Sequence, residues 1–196
     1  MHEQLIKSVQ DKITLQPSDQ EVLKHFFIPR KIRKRQYLLN AGDIAAHITF
    51  VEKGLLRSFS VDDEGHEHIV QFACAGWWIA DMNSFLSGDI AIYNIEALED
   101  SELLMLSKSA MDQMTEQVPR MDRYFRLLMQ NHIVALQRRI IASLSYSAEE
   151  KYVKLMEVSP DIIARVSQQY IASYLGITPE TLSRIRRQVA TRHRSS

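Results

Sequence analysis

The segment 168–187 carries two short amphipathic patterns separated by one glycine, and few folds accept that arrangement. Ile171 and Leu175 stand four residues apart and share a face of a first helix, while Ala172 is small where a second helix must cross closely. Gly176 supplies the positive-φ conformation that ends a helix. Thr178 is placed to cap the next helix, and Pro179 to take its first position, where a missing N–H costs nothing. Leu182, Ile185 and Val189 then recur at i, i+3, i+7 and predict a buried stripe. Glu180, Ser183, Arg184 and Arg187 recur at i, i+3, i+4, i+7 on another face. The pattern predicts a helix-turn-helix. An ordinary helical hairpin with a charged outer face is the plainer reading, but turn glycine, small residue, cap, proline and both stripes all agree against it.

A helix with one apolar face and one face of hydrogen-bonding groups is what reading the major groove of DNA requires. Arg184 can give two donors to guanine O6 and N7, and Glu180 can accept from cytosine N4. Ser183 suits either a base or a phosphate, and Arg186, Arg187, Arg192 and Arg194 suit phosphates. The formal net charge of the chain is zero, yet its distribution is uneven. From Asp161 onward six arginines face two acidic residues, a balance of +4 that leaves −4 for the remainder. A basic end on an acidic body fits a molecule that presents that end to phosphates, although a solvated terminus would look the same by charge alone.

The rest of the chain predicts an α+β protein. Residues 2–27 read as short helices, with Pro17-Ser18-Asp19 as a turn into the second. From 32 to 106 short apolar runs alternate with turn signals at Asn40-Ala41-Gly42-Asp43, Glu52-Lys53-Gly54, Asp62-Asp63-Glu64-Gly65, Ala75-Gly76 and Ser87-Gly88. Such spacing belongs to an all-β sandwich or barrel, with 56–71 as a hairpin. Beyond Lys108 the period becomes helical. Pro119 stands near a helix start, and Met121, Tyr124, Phe125, Leu128, His132, Ala135 and Leu136 follow at three- and four-residue steps, predicting one helix to about residue 144. A stripe of that length needs a partner, and a second copy in a parallel coiled coil is the simplest. Residues 147–158 give a shorter helix ended by Ser159-Pro160.

Composition narrows the function classes. One cysteine, Cys74, excludes an internal disulfide, a four-cysteine zinc site and a cysteine-held iron–sulfur cluster within one chain, and buried packing is its expected role. The longest apolar run, near 72–80, is too short to span a bilayer and the start is polar, so no membrane association and a cytoplasmic location are expected. His66 and His68 alternate as paired metal ligands of a cupin-like enzyme would, but Gly65 touches His66 directly, unlike the cupin spacing, and solvated hairpin histidines are the plainer reading. The basic run from Arg30 to Arg35 reads as a solvated strand edge. No metal and no cofactor are expected.

The chain resembles the Crp-Fnr family, that of the cyclic AMP receptor protein and FNR, over nearly its whole length. The matching residues are Gly42-Asp43, Phe50-Val51-Glu52-Lys53-Gly54, Asp63-Glu64-Gly65 and Ala75-Gly76, then Ser167-Gln168-Gln169, Ile171-Ala172, Leu175-Gly176 and Glu180-Thr181-Leu182-Ser183-Arg184. The resemblance implies an N-terminal cyclic-nucleotide-binding-like β-roll (a double-stranded β-helix) with flanking helices over 1–118. A long dimerisation helix over 119–145 and a winged-helix-like helix-turn-helix domain over 146–196 would follow. It implies a homodimer on palindromic double-stranded DNA, with Ser167, Gln168, Thr178, Glu180, Thr181, Ser183, Arg184 and Arg187 at the DNA. RNA polymerase and an unidentified small-molecule effector are the further partners implied. Pro179 stands where the cyclic AMP-type reading helix has an arginine, which favours sites related to the FNR-type half-site. The family's terminal β-hairpin has little room between the reading helix and Ser196.

The first half departs from the family at the effector pocket, expected at Trp78, Ile79, Ala80, Asp81, Met82, Ala91 and Ile92. Ala91 and Ile92 stand where a cyclic-nucleotide binder has the arginine and serine that hold the phosphate. A buried phosphate without a paired cation is expensive, so cyclic AMP is expected to bind weakly or not at all. Asp81 could still meet a ribose hydroxyl, and Trp77 and Trp78 could fill the space themselves. FNR-type oxygen sensing needs several cysteines. A ligand-binding module with a vestigial helix-turn-helix is the other rival, and Glu180 with Arg184 speaks against it.

Overall fold

The computed structural model describes residues 1–194; the side chain of Arg194, expected at a phosphate, lies outside the described residues. The chain opens with helices α1 (Glu3–Gln10) and α2 (Pro17–Phe26). α1 has no side-chain cap of its own. The Glu52 carboxylate takes that part, accepting from the backbone N–H of Gln4 at 2.9 Å and Leu5 at 3.2 Å. Pro17 starts α2, and Gln16 and Asp19 close a capping box around it.

The strands are β1 (Ile28–Ile32), β2 (Tyr37–Leu39), β3 (His47–Lys53), β4 (Leu55–Val61), β5 (Glu67–Cys74), β6 (Trp78–Ile79), β7 (Asn94–Ala97) and β8 (Ser101–Ser107), with helix α3 (Met82–Ser87) between β6 and β7. They form two sheets, ordered β1-β8-β3-β6 and β2-β7-β4-β5. Period-two alternation sorts their side chains. Val51 and Leu103 of one sheet join Leu56, Ala73, Ile95 and Ala97 of the other in a cluster between the sheets. Phe50, Leu104 and Leu106 point the other way, onto α1, α2 and the helices that follow β8. This is the expected β-roll. Gly54 makes the tight link between β3 and β4 at φ +107°, where an added Cβ would collide with Ser101.

Two expectations need correction. Ser87-Gly88 is the end of helix α3, with Gly88 at φ +82°, and not a turn between strands. Pro160 does not simply stop a helix; it starts another, α7. The basic run falls where expected, with β1 at a sheet edge and Lys31 paired to Glu102 at 3.2 Å.

After α4 (Lys108–Gln117) comes α5 (Arg120–Ser145), 26 residues long. Its first turns pack on the body of the chain, with Met121 and Tyr124 buried and Phe125 and Leu128 against the same cluster. The predicted stripe therefore splits: its first four residues are satisfied internally, whereas His132, Ala135 and Leu136 are exposed, and Leu136 shares a solvent-facing row with Met129, Ile133, Ile140 and Leu144. The remaining helices are α6 (Ala148–Val158), α7 (Pro160–Arg165), α8 (Gln168–Leu175) and α9 (Pro179–Arg194).

The chain divides into two compact units. One comprises Met1–Val61 and Val70–Asn131, the other Asp62–Ile69 and His132–Ser196. The core of the second unit is built from Tyr152, Ile162, Val166, Ile171, Ala172, Leu175, Leu182, Ile185 and Val189, each at most 9% exposed.

Candidate nucleic-acid interface

Each predicted signal of the helix-turn-helix has a structural counterpart. The Ser167 hydroxyl caps α8, accepting from the N–H of Tyr170 at 3.4 Å. α8 ends at Gly176, whose φ of +67° and ψ of +39° are left-handed. The Gly176 and Ile177 N–H groups return to the carbonyls of Ser173 and Ala172 at 3.1 and 3.0 Å, which satisfies the helix end. The Thr178 hydroxyl accepts from the N–H of Thr181 at 3.2 Å and caps α9, with Pro179 as the first helical residue.

α9 is divided as its spacing predicts. Leu182, Ile185 and Val189 are buried against α8 and α6. Thr178, Glu180, Arg184 and Arg187 are exposed, and Thr181 and Ser183 are half-buried beside them. Gln168 is exposed at the start of α8. Seven of the eight expected DNA-facing residues thus lie at the α8–α9 turn and along α9 within two turns of it, or open α8; Arg187 extends the row by one further turn. The Glu180 carboxyl is held below its ordinary range by its own backbone N–H and by the Thr178 hydroxyl, so it is an anion and an acceptor only. Arg192, expected at a phosphate, pairs here with Glu149 of α6.

The seven residues expected to line an effector pocket do not form one wall. The Trp78 ring turns to the helical side, packed between Phe27, Phe50 and Phe125, and its Nε1–H donates to the Tyr124 hydroxyl at 3.0 Å. Ala80 and Met82 join that same cluster, whereas Ile79 lies between the sheets. Trp77 is half exposed and fills no interior space. Asp81 is 1% exposed, with both oxygens in use. Oδ1 accepts from the N–H of Ser84 at 3.1 Å, capping α3, and Oδ2 accepts from the N–H of Ile92 at 2.9 Å. Ala91 is buried and Ile92 is 58% exposed. Where a phosphate would need a cation, the backbone of 89–92 is instead stitched inward. Ser84 Oγ donates to the Asp89 carbonyl at 2.6 Å, and Ala91 N–H to the Asp43 carbonyl at 2.7 Å.

Sequence reasoning missed the buried ion pair of Arg57 and Glu96, partners across β4 and β7. Arg57 Nε lies 2.7 Å and Nη2 2.6 Å from Glu96 Oε2, and the guanidinium stacks 4.0 Å over Phe59. An arginine inside the apolar run Leu55-Leu56-Arg57-Ser58-Phe59 was the available signal. It also missed Ser173, a polar residue within the Ile171–Leu175 stretch of α8. His66 and His68 are exposed at the hairpin tip and engage Asp62, with His68 Nε2 2.7 Å and His66 Nδ1 3.5 Å from Oδ2.

Comparison with known proteins agrees with this architecture. Residues 29–118 match the cyclic nucleotide-binding domain family. The chain is 27% identical to the fumarate and nitrate reduction regulatory protein of Vibrio cholerae, covering 88% of this chain and 73% of that protein. It is 28% identical to the transcriptional activator protein anr of Pseudomonas aeruginosa, covering 80% and 68% respectively. Among solved structures it is similar to FixK2 from Bradyrhizobium japonicum, with a TM-score of 0.73 at 20% identity over 85% of this chain and 86% of that one. It is also similar to the c-di-GMP responsive global regulator CLP of Xanthomonas campestris, with a TM-score of 0.72 at 17% identity over 91% and 93%. With the β-roll, the long α5 and the α8–α9 pair in this order, the chain shares the fold of these regulators and carries a cyclic nucleotide-binding domain over residues 29–118, in support of a place in the Crp-Fnr family.

Proposed function

We propose that this chain is a sequence-specific DNA-binding transcription regulator that works as a homodimer on a palindromic site in the cytoplasm. The observation that carries the reading is the division of α9, whose Leu182, Ile185 and Val189 are dry while Glu180, Arg184 and Arg187 are exposed. Arg184 is the guanine reader, Glu180 the cytosine acceptor and Ser183 the third base contact. Ser167, Gln168, Thr178, Thr181 and Arg187 hold the backbone and the register. The curated relatives are named as regulators and activators of transcription, which supports the same class.

The exposed apolar stripe of α5 supports the dimer. Met129, Ile133, Leu136, Ile140 and Leu144 follow steps of four, three, four and four, a coiled-coil-like seam left exposed in the single chain. Two α5 helices paired along it would present two α9 helices about one helical turn of DNA apart, about 34 Å. RNA polymerase is the natural further partner of such a regulator.

The effector is not cyclic AMP. A cyclic nucleotide would have to displace two backbone bonds to Asp81 and set its phosphate beside the apolar Ala91 and Ile92, which supply no charge to pair with it. Any effector is therefore a different small molecule. Selection of duplexes from a random pool, with and without cell extract, tests the reading. An inverted repeat should be enriched, and an extract-dependent change in yield would report an effector. Absence of any enriched duplex would refute the function. Calorimetry with cyclic AMP should show no heat of binding, and micromolar affinity would refute the effector claim.

A further inference from the structure

Strand β5 stands last in the sheet order β2-β7-β4-β5, so among the described strands one row of its backbone groups lies at the sheet edge. Within the second compact unit, part of that row is taken up by helices. Ser173 Oγ donates to the Glu67 carbonyl at 2.7 Å and accepts from the Ile69 N–H at 3.0 Å, so a single hydroxyl uses both its capacities on residues of one strand edge. The Ile69 carbonyl accepts from Arg139 Nη2 at 3.0 Å. The Arg139 guanidinium in turn lies 4.4 Å over the ring of Tyr174, the neighbour of Ser173. Residues 67 and 69 direct their backbone groups to the same edge, because direction alternates along a strand. The segment leading in is itself fixed, since the Asp62 carboxylate accepts from the N–H groups of Glu64 and His66 at 3.0 and 2.8 Å and bonds His68 at 2.7 Å.

We propose that Ser173, Arg139 and the edge 67–69 form a latch that fixes α8, and through it α9, at one angle to the C-terminal half of α5. The inference rests on the DNA-binding reading above and adds to it what sets the geometry of that reading. α8 and α9 are joined by the short Gly176 turn and share the Ala172–Leu182 core, so an orientation imposed on α8 is passed to α9. In a dimer joined along α5, the same angle sets the separation of the two reading helices and hence the half-site spacing accepted. Holding that angle before DNA arrives lowers the ordering cost of binding. Ser173 and Arg139 are positioning residues, and neither touches a base.

The experiment measures the affinity of the full chain for duplexes bearing its selected half-sites at the preferred spacing and at spacings one base pair shorter and longer. The wild type should discriminate sharply. Ser173→Ala should lose about three- to tenfold at the preferred spacing, the scale of one or two hydrogen bonds, and its penalty for the altered spacings should shrink. Base preference within each half-site should stay the same, and Ser173→Thr should restore discrimination. Arg139→Gln, on a half-exposed helix position, gives the same test should Ser173→Ala fail to fold. A variant profile identical to wild type, an equal loss at every spacing, or a gain in affinity would each overturn the latch while leaving DNA reading intact. A wild type that binds no duplex would overturn the DNA reading and the latch with it.

Discussion

Single residues carry unequal shares of this molecule. Gly176 sits in open space, so a side chain there meets no atom, but φ of +67° is left-handed. Gly176→Val should cost about 1–2 kcal/mol through backbone strain alone. Denaturant unfolding of the second unit measures that, and an unchanged midpoint would contradict it. Arg57 and Glu96 are a buried pair, 2% and 8% exposed. Removing one partner strands the other charge, so Arg57→Met should destabilise by about 3–5 kcal/mol, whereas the double change Arg57→Met with Glu96→Leu should recover most of it. Equal losses in the single and double variants would show that packing, not charge, is what matters there.

Asp62 gives a pH prediction of definite sign. Its hydrogen bond to His68 first, then the backbone N–H of His66, outweigh a small opposing effect of burial, and with the N–H of Glu64 and the His66 charge they lower its carboxyl from 3.8 to about 2. A depressed acid stabilises the fold above its unfolded value and loses that contribution as pH falls through its folded one. Order in the 62–66 turn should therefore persist down to pH 4 and fade toward about 2, as followed by the Asp62 carboxyl resonance. Asp62→Asn should remove that dependence, and a midpoint near 3.8 in the wild type would show that the turn exerts no hold on this carboxyl.

At the scale of elements, α5 makes the sharpest claim. Leu136 and Ile140 are 42% and 60% exposed in the single chain. Burying side chains of this kind is worth about 1.5–3 kcal/mol each, and a symmetric pair counts them twice. Leu136→Glu with Ile140→Glu should halve the mass seen in sedimentation and leave the fold of each chain intact. A persistent dimer would place the interface elsewhere.

What was legible in the sequence divides along the same scale. The α8–Gly176–α9 unit could be read residue by residue because its determinants are local: cap, proline, glycine and stripes lie within twenty positions. The β-roll was legible as alternating runs and turns, since a period of two needs no knowledge of partners. The rest depends on pairs far apart in the chain. Arg57 meets Glu96 across 39 positions, and Ser173 meets Ile69 across 104. No local period reports such pairs. Only the later part of the α5 stripe stays open to a partner for a related reason: one helix carries two apolar faces, and spacing does not say that Met121, Tyr124, Phe125 and Leu128 pack on their own chain. Trp78 joined the expected pocket by its place in the chain, yet its side of β6 turned its ring toward Phe27, Phe50 and Phe125.

At the scale of the whole molecule, a β-roll with Ala91 and Ile92 in its proposed effector region is joined to a helix α9 that exposes Glu180, Arg184 and Arg187, the proposed DNA contacts. Signal and output would then be linked through α5 and the pose of α8, as a shift between two dimer geometries. A change in effector chemistry leaves the DNA end intact under this scheme, because the proposed base readers and the residues around Asp81 belong to different compact units. The most direct test of the central claim is the affinity of wild type and Arg184→Ala for the selected palindrome and all its single-base-pair variants. The account predicts a loss of about 1–3 kcal/mol on the parent site and relaxed preference at one base pair in each half-site, with every other position unchanged. An Arg184→Ala profile that keeps both affinity and preference would contradict the assignment of α9 as the reading helix.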